Sequence, residues 1–287
     1  MQDNRDIIEK VKECLIVAAS TFSEDKKEAY RKAIECETSP NAKWVLETVL
    51  QNAIVAERNR SPLCDDTGIP HLFLEVGPNK NVSGELIRLI QRGVAEGLQM
   101  LPGRPMAIKG NDLQRIDQSG GLDIDPAALQ PSPILIKPVK EDIIRLHILM
   151  HGGGPEIRAR TFRVFHKHKV SIVKDEIIDW AIEGALNLGC SPVTLAVGIG
   201  RSHFEAASLM MEAMVFGDHN MQTEIEKEIT QRVNQSNTGP LGLGGATTAL
   251  GTFLRVGPQR ASGVRIVSLR PCCCFEPRKA SVILPYE

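Results

Sequence analysis

Four groups of residues in this 287-residue chain have types and spacing suited to chemistry. The first is the turn-rich run Pro62-Leu63-Cys64-Asp65-Asp66-Thr67-Gly68, in which two carboxylates follow a thiol. The second is Cys190, in Leu188-Gly189-Cys190-Ser191-Pro192 at the end of a predicted helix, and the third is the triplet Cys272-Cys273-Cys274. The fourth is a set of glycine-rich breaks: Gly152-Gly153-Gly154, Gly198-Ile199-Gly200 and the stretch from Gly239 to Gly245. Thiols ligate soft metals or act as nucleophiles, and glycines let backbone N–H groups approach an anion. Each group also has a plainer reading. Asp65 or Asp66 can cap a turn, Cys190 can be a small core residue, and the glycines can be tight turns. Gly198-Ile199-Gly200 lacks the third glycine of a dinucleotide loop, and Gly239–Gly245 lacks the lysine of a P-loop. Together the three breaks suggest a carboxylate or phosphate site. No C-x-x-C pair occurs, which argues against a zinc ribbon.

The elements around these residues are legible from periodicity. Ile7, Ile8, Val11, Leu15 and Ile16 recur at helical spacing, as do Leu46, Val49, Leu50, Ala53 and Ile54, so about residues 1–60 read as helical with a break at Ser39-Pro40. His71–Val76 reads as a strand, Val82–Met100 as a helix, and Gly103–Gln130 as a long polar loop of the kind that is functional or disordered. Strands are predicted at Ile134–Lys137, Ile143–Met150, Val193–Val197, Thr252–Val256 and Val264–Leu269. Helices are predicted at Asp175–Leu188, Phe204–Val215 and Glu224–Asn234. The methionines 210, 211 and 214 read as packing filler, and Cys14 and Cys36 as core residues. With no internal repeat and no linker, the expected fold is one α/β domain over residues 1–287, with a helical N-terminal part and a mixed-sheet, glycine-loop-rich core.

Composition narrows the partners. A formal net charge of −1 gives no global field for nucleic acid or an anionic membrane, and 4% aromatic residues leave little for base stacking. The N-terminus lacks the basic start and apolar run of a secretory signal, and no stretch has the apolar length of a membrane span. The expected location is the cytoplasm, where seven cysteines are core residues, metal ligands or catalytic thiols rather than disulfides.

Taken in order, these segments resemble the iron–sulfur class I fumarases and L-tartrate dehydratases. Residues 62–68 are similar to that family's P-x-C-Q-D-T-G segment, and Cys190-Ser191-Pro192 leading to Gly198-Ile199-Gly200 to its C-P-P and G-V-G-I-G. Asn237–Gly245 resembles N-x-G-P-Q-G-L-G-G, and Cys274-Phe275-Glu276-Pro277-Arg278-Lys279 resembles C-W-A-x-R-R. Arg104-Pro105 sits where the family has a substrate arginine, and His151-Gly152-Gly153-Gly154 resembles K-G-G-G. The resemblance implies a [4Fe–4S] cluster held by Cys64, Cys190 and Cys274, with one iron lacking a protein ligand. It also implies Arg104 on a substrate carboxylate, the backbone of Gly152, Gly153 and Gly154 lining the site, and Asp66 positioning or exchanging a proton. The implied activity is reversible addition of water on a small 2-hydroxy-dicarboxylate of the fumarate and malate type, with L-tartrate dehydration as the alternative.

Two departures stand out. Asp65 replaces the family's glutamine and His151 its lysine, which points to an altered substrate offering a hydroxyl or amine toward Asp65. The chain also stops at Glu287, where single-chain members continue into a smaller swivelling domain. The expectation is therefore an α subunit needing a separate β subunit, as an α2β2 assembly. Two rivals remain: a non-catalytic binding or regulatory subunit that keeps the fold, and a metal-free anion-binding protein.

Overall fold

A computed structural model describes residues 2–286. The elements, in chain order, are α1 (Gln2–Ser20), α2 (Glu24–Cys36), α3 (Pro40–Asn59), β1 (Ile69–Val76), α4 (Gly84–Met100), α5 (Asp112–Ile116), β2 (Leu135–Pro138), β3 (Ile144–His151) and α6 (Gly153–Arg158). They continue as β4 (Arg160–Phe165), α7 (Val170–Leu188), β5 (Val193–Gly200), α8 (His203–Phe216), α9 (Glu224–Asn234), β6 (Ala249–Val256), β7 (Val264–Cys272) and β8 (Lys279–Leu284). The chain is thus mixed α/β, as expected, and its strands form two separate mixed sheets. It forms two compact units, one of residues 2–22, Ala53–Gly152 and 278–286, the other of Ser23–Asn52 and Gly153–Pro277. Each unit is assembled from separated stretches of chain, which is why the sequence shows no linker.

The first unit is built on a four-stranded sheet in the order β2-β1-β3-β8. β1 runs parallel to β2 and antiparallel to β3, and β8 pairs antiparallel with β3. One face carries Leu72, Leu74, Leu146, Ile148 and Met150, which pack with Ile7, Val11 and Leu15 of α1 and Leu86, Ile90 and Val94 of α4 in a single core. Of the periodic apolar positions read from the sequence, Ile7, Ile8, Val11, Leu15, Ile16 and Ala53 are buried here, whereas Ile54 is 44% exposed. The polar run after α4 holds the capped helix α5, an isolated pairing of Ile108 with Leu122, and a short 3-10 turn at Pro126–Ala128.

The second unit has the order β4-β7-β5-β6. β5 is buried along its whole length, and its side chains divide by the two-residue strand period. Val193, Leu195, Val197 and Ile199 join Ile177, Ile178, Ala181, Ile229 and Val233 of α7 and α9 in one core. The alternate residues Thr194, Ala196, Gly198 and Gly200 are small because α8 lies close on that side. A Cβ on Gly198 would come within 2.1 Å of the Ala206 carbonyl oxygen. Gly198-Ile199-Gly200 is therefore a packing device and not an anion loop. Met214 is fully buried and Met211 nearly so, as packing residues.

Cys14 is buried, and burial pushes its thiol up to about 12. Cys36, in contrast to the sequence expectation, is exposed. It ends α2, whose buried residues are Lys26, Lys27 and Tyr30, so the helical periodicity turns Cys36 away from the packed side.

In this unit Asp25 accepts hydrogen bonds from the His219 backbone N–H at 2.9 Å and from its ring Nδ1 at 2.8 Å. The second ring nitrogen lies 3.1 Å from Thr194 Oγ1. Burial alone would raise the Asp25 carboxyl, but the hydrogen bonds from His219 and Ser23 hold it well below the usual carboxylate range. A depressed carboxyl contributes stability above its unfolded pKa of about 3.9, and that contribution is lost as pH falls through the folded value. Asp25→Asn is expected to lower the thermal midpoint at pH 7, with the gap from wild type closing below about pH 4. Thermal scans across pH 2.5–7 check this; a gap that stays constant with pH rules out the linkage.

Candidate active site

Within the first unit, the segment 62–68 is fixed at several points. Leu63 is buried and its N–H donates to the Ala19 carbonyl at 3.0 Å. Cys64 follows, half-buried. Asp66 turns its carboxylate back onto the Gly68 N–H at 3.1 Å, the local turn that aspartate favours. Thr67 Oγ1 donates to the Arg104 carbonyl at 3.1 Å, and Gly103 lies so close that a Cβ there would meet Thr67 Oγ1 at 2.6 Å. The segment 62–68 is thereby stitched to the start of the polar run. Arg104 and Asp65 pair at 3.3 Å, with side chains 54% and 84% exposed.

Below this loop lies Arg278, buried at 2% exposure. Its Nη1 donates to the carbonyls of Asp66 at 2.7 Å and Thr67 at 3.1 Å, and its Nε donates to the Met150 carbonyl at 3.1 Å. Gly68 closes over the guanidinium at φ +86°, and a Cβ there would lie 2.5 Å from Nη2. His151 ends β3 with its ring stacked on His71 at a centroid distance of 4.0 Å, and Gly152 follows, buried.

Within the second unit, α7 ends at Gly189 in the left-handed conformation, φ 75°, and releases the chain at Cys190. Cys190 is exposed rather than packed in the core. Its carbonyl accepts the Cys274 N–H at 2.8 Å, so the backbone holds the second and third cysteine segments together. Cys274 is buried, and its carbonyl accepts from the Tyr30 hydroxyl at 2.8 Å. Two residues on, the Glu276 carbonyl accepts from Lys26 Nζ at 2.5 Å. Burial pushes the Lys26 ammonium down to about 8, against the neighbouring Cys273 and Cys274 thiols, which favour its charged form. The Cys274 thiol donates to Cys273, which lowers the Cys273 pKa and raises that of Cys274. Cys272 is fully buried with its Sγ 3.6 Å from Met214 Sδ, so it is a core residue on the α8 side.

The glycine-rich stretches separate in function. Gly153 and Gly154 open the short helix α6. In Gly239–Gly245 the chain folds back on itself, with the Gly244 N–H on the Thr238 carbonyl at 2.9 Å. The anion at its end is the protein's own. The Glu37 carboxylate accepts the Ala246 N–H at 2.9 Å and the N–H groups of Thr38 and Ser39 at 3.0 and 3.1 Å. Ser191 Oγ donates to the Gly239 carbonyl at 2.6 Å and ties this loop to the Cys190 segment.

Of the residues expected at the site, Cys64, Asp65, Asp66, Arg104 and Gly152 thus lie in the first unit, where Asp65 and Arg104 meet. Gly153, Gly154, Cys190 and Cys274 lie in the second, where the two cysteines meet. The roles of Lys26, Tyr30 and Glu37, and the grip of Arg278 on 66–68, are not evident from the sequence. Only Arg278 leaves a trace there, inside the C-F-E-P-R-K run. Among the described residues, no group of three or more His, Cys, Asp or Glu side chains is placed to hold a single metal ion. A four-iron cluster takes one thiolate per iron, so its ligands need not converge on one point. The thiols of Cys190 and Cys274, on segments joined by a backbone bond and with the Lys26 ammonium near Cys274, fit such a group as donors.

The family model for fumarate hydratase (Fumerase) matches residues 8–283. This chain belongs to the fumarate hydratase (Fumerase) family. Curated relatives include the putative L(+)-tartrate dehydratase subunit alpha of Methanocaldococcus jannaschii, 28% identical over 270 residues, 90% of each chain. The L(+)-tartrate dehydratase subunit alpha of Escherichia coli K12 is 23% identical over 263 residues, 88% of this chain and 83% of its own. Membership in the Fumerase family and these relatives support a hydro-lyase. No helix among the described residues is long and apolar enough to cross a membrane.

Proposed function

We propose that this chain is the α-type subunit of a [4Fe–4S] hydro-lyase acting on a small 2-hydroxy-dicarboxylate of the fumarate and malate type. The observation that carries this reading is the family match across 8–283, which spans every candidate site residue. L-tartrate is the second candidate, favoured by the names of the relatives. The ligands would be Cys64, Cys190 and Cys274, leaving one iron open. When bound, the cluster supplies a Lewis acid that makes hydroxide a feasible leaving group and activates water in reverse. Arg104 holds one substrate carboxylate by paired charge-assisted hydrogen bonds. Asp66, fixed by its bond from Gly68, positions or exchanges a proton, and the backbone of Gly152, Gly153 and Gly154 lines the site. A β subunit supplies the remaining groups, in an α2β2 assembly whose catalytic domain is residues 1–287 of this chain. The cytoplasm suits its cysteines, which form no disulfide among the described residues.

The test is anaerobic co-purification with the β subunit and assay on fumarate, malate and L-tartrate, with products followed by NMR. Turnover of fumarate and malate supports the first reading, and turnover of L-tartrate alone supports the second. A complex with an intact cluster that turns over none of them would make the chain a non-catalytic subunit.

Asp65 shapes this specificity by sharing Arg104. A dicarboxylate must displace that ion pair, which at this exposure is worth on the order of 1 kcal/mol. Asp65→Gln is expected to lower KM for a dicarboxylate by about three- to tenfold and to shift preference away from hydroxyl- or amine-bearing substrates. Unchanged KM and unchanged preference would sink the assignment.

A further inference from the structure

We propose that Arg278 is a positioning residue, which sets the conformation of the Cys64–Gly68 loop and through it the placement of the Asp66 carboxylate. Its catalytic consequence rests on the hydro-lyase reading; its structural effect does not.

The geometry is specific. The bond from Nη1 to the Asp66 carbonyl orients the 66–67 peptide plane, and the bond to the Thr67 carbonyl orients the 67–68 plane. The Nε bond to the Met150 carbonyl fastens the same guanidinium to the end of β3. The Met150 N–H returns a bond to the Arg278 carbonyl at 2.9 Å, so backbone and side chain of Arg278 both hold that strand end. The loop is then locked from the other side, because the Gly68 N–H bonds to Asp66 Oδ1 at 3.1 Å. Asp66 is fixed at its carbonyl by Arg278 and at its carboxylate by Gly68, and turning either peptide plane displaces the carboxylate.

Chemistry explains why the residue is arginine. A planar fork spreads donors in fixed directions and reaches carbonyls on two segments at once; a lysine ammonium is a point charge on a flexible stem. Burying a cation is costly, and neutral carbonyls offset that cost only when the geometry is kept. Gly68 belongs to the same device. At φ +86°, and with only 2.5 Å between an added Cβ and Nη2, a larger residue would strain the turn and push the guanidinium off its carbonyls.

The test pairs Arg278→Lys and Arg278→Gln with wild type. In cluster-free chain, hydrogen exchange read by mass spectrometry over 64–69 is expected to speed up at least about tenfold in Arg278→Gln. Peptides covering α1, α4 and the middle of β3 should keep wild-type rates. In the complete enzyme, both variants should lose kcat by about ten- to a hundredfold with a smaller rise in KM, since Arg278 does not bond Arg104 itself and reaches it only through Asp65 and Thr67 of this loop. Wild-type exchange over 64–69, or uniform acceleration over all peptides of the unit, would overturn the proposal. So would a lysine variant of wild-type kcat. Local acceleration in a chain that proves to have no hydro-lyase activity would uphold the positioning role and refute only the reaction.

Discussion

Serine in place of Cys64, Cys190 or Cys274 is expected to abolish both cluster and turnover, whereas Cys36→Ser, at an exposed helix end, should leave both intact. Anaerobically purified wild type should carry about four irons and four acid-labile sulfides per chain, with an EPR signal on reduction, and each of the three variants close to none. Serine is nearly isosteric but a poor ligand for iron at neutral pH, so the loss isolates thiolate ligation from packing. The prediction is sharpest at Cys274. Its neighbour Cys272 is committed to the core against Met214, and Cys273 shares a thiol hydrogen bond with Cys274 itself. Retention of a full cluster in Cys274→Ser, with loss in Cys273→Ser, would transfer the third ligand by one residue. A wild-type chain without iron after reconstitution would remove the cluster from the account altogether.

The second large effect is on stability. Arg270 on β7 is fully buried and its guanidinium bonds the Glu276 carboxylate, itself 1% exposed, at 3.1–3.3 Å; Glu156 of α6 also reaches it. Burial alone would depress the arginine, but the neighbouring Glu276 raises its pKa, so Arg270 stays charged. Arg270→Met leaves a buried carboxylate without its main counter-charge and is expected to cost about 3–5 kcal/mol. Removing both charges in Arg270→Met/Glu276→Leu should recover much of that loss. Urea unfolding of the cluster-free chain, compared at constant m-value, measures both. A single variant within about 1 kcal/mol of wild type would show that the pair carries no such energy. The pair matters to the site because Glu276 lies two residues past Cys274. Its carboxylate bonds Arg270 and its carbonyl bonds Lys26, so the turn that presents the cysteine is gripped from both sides.

The helices and the buried strands are legible in the sequence because their apolar periods survive. α4 and α9 begin within two residues of the expected starts. β5 reads only to Val197, since Gly198 and Gly200 look like a loop; they are strand residues kept small by α8. β4 and β8 lie at sheet edges, where half-exposed positions blur the alternation, and neither is evident from periodicity. At the site, the cysteines and Arg104 are found through the resemblance. The contacts that hold them are not, because they are long-range. Arg278 meets Asp66 across 212 positions, and Glu37 reaches Ala246 across 209. No local pattern in either segment encodes its partner. The glycine-rich stretch 239–245 misleads for the same reason, since its anion is a distant side chain of the same molecule.

The interleaving of the two units also has a consequence during synthesis. The second unit ends at Pro277, while the first still awaits β8. Until residues 279–284 emerge from the ribosome, β3 is a bare sheet edge, and the carbonyls of Asp66 and Thr67 lack the guanidinium that later holds them. The unit begun first is therefore finished last, and the loop bearing Cys64 takes its final form only after Cys190 and Cys274 have both been made.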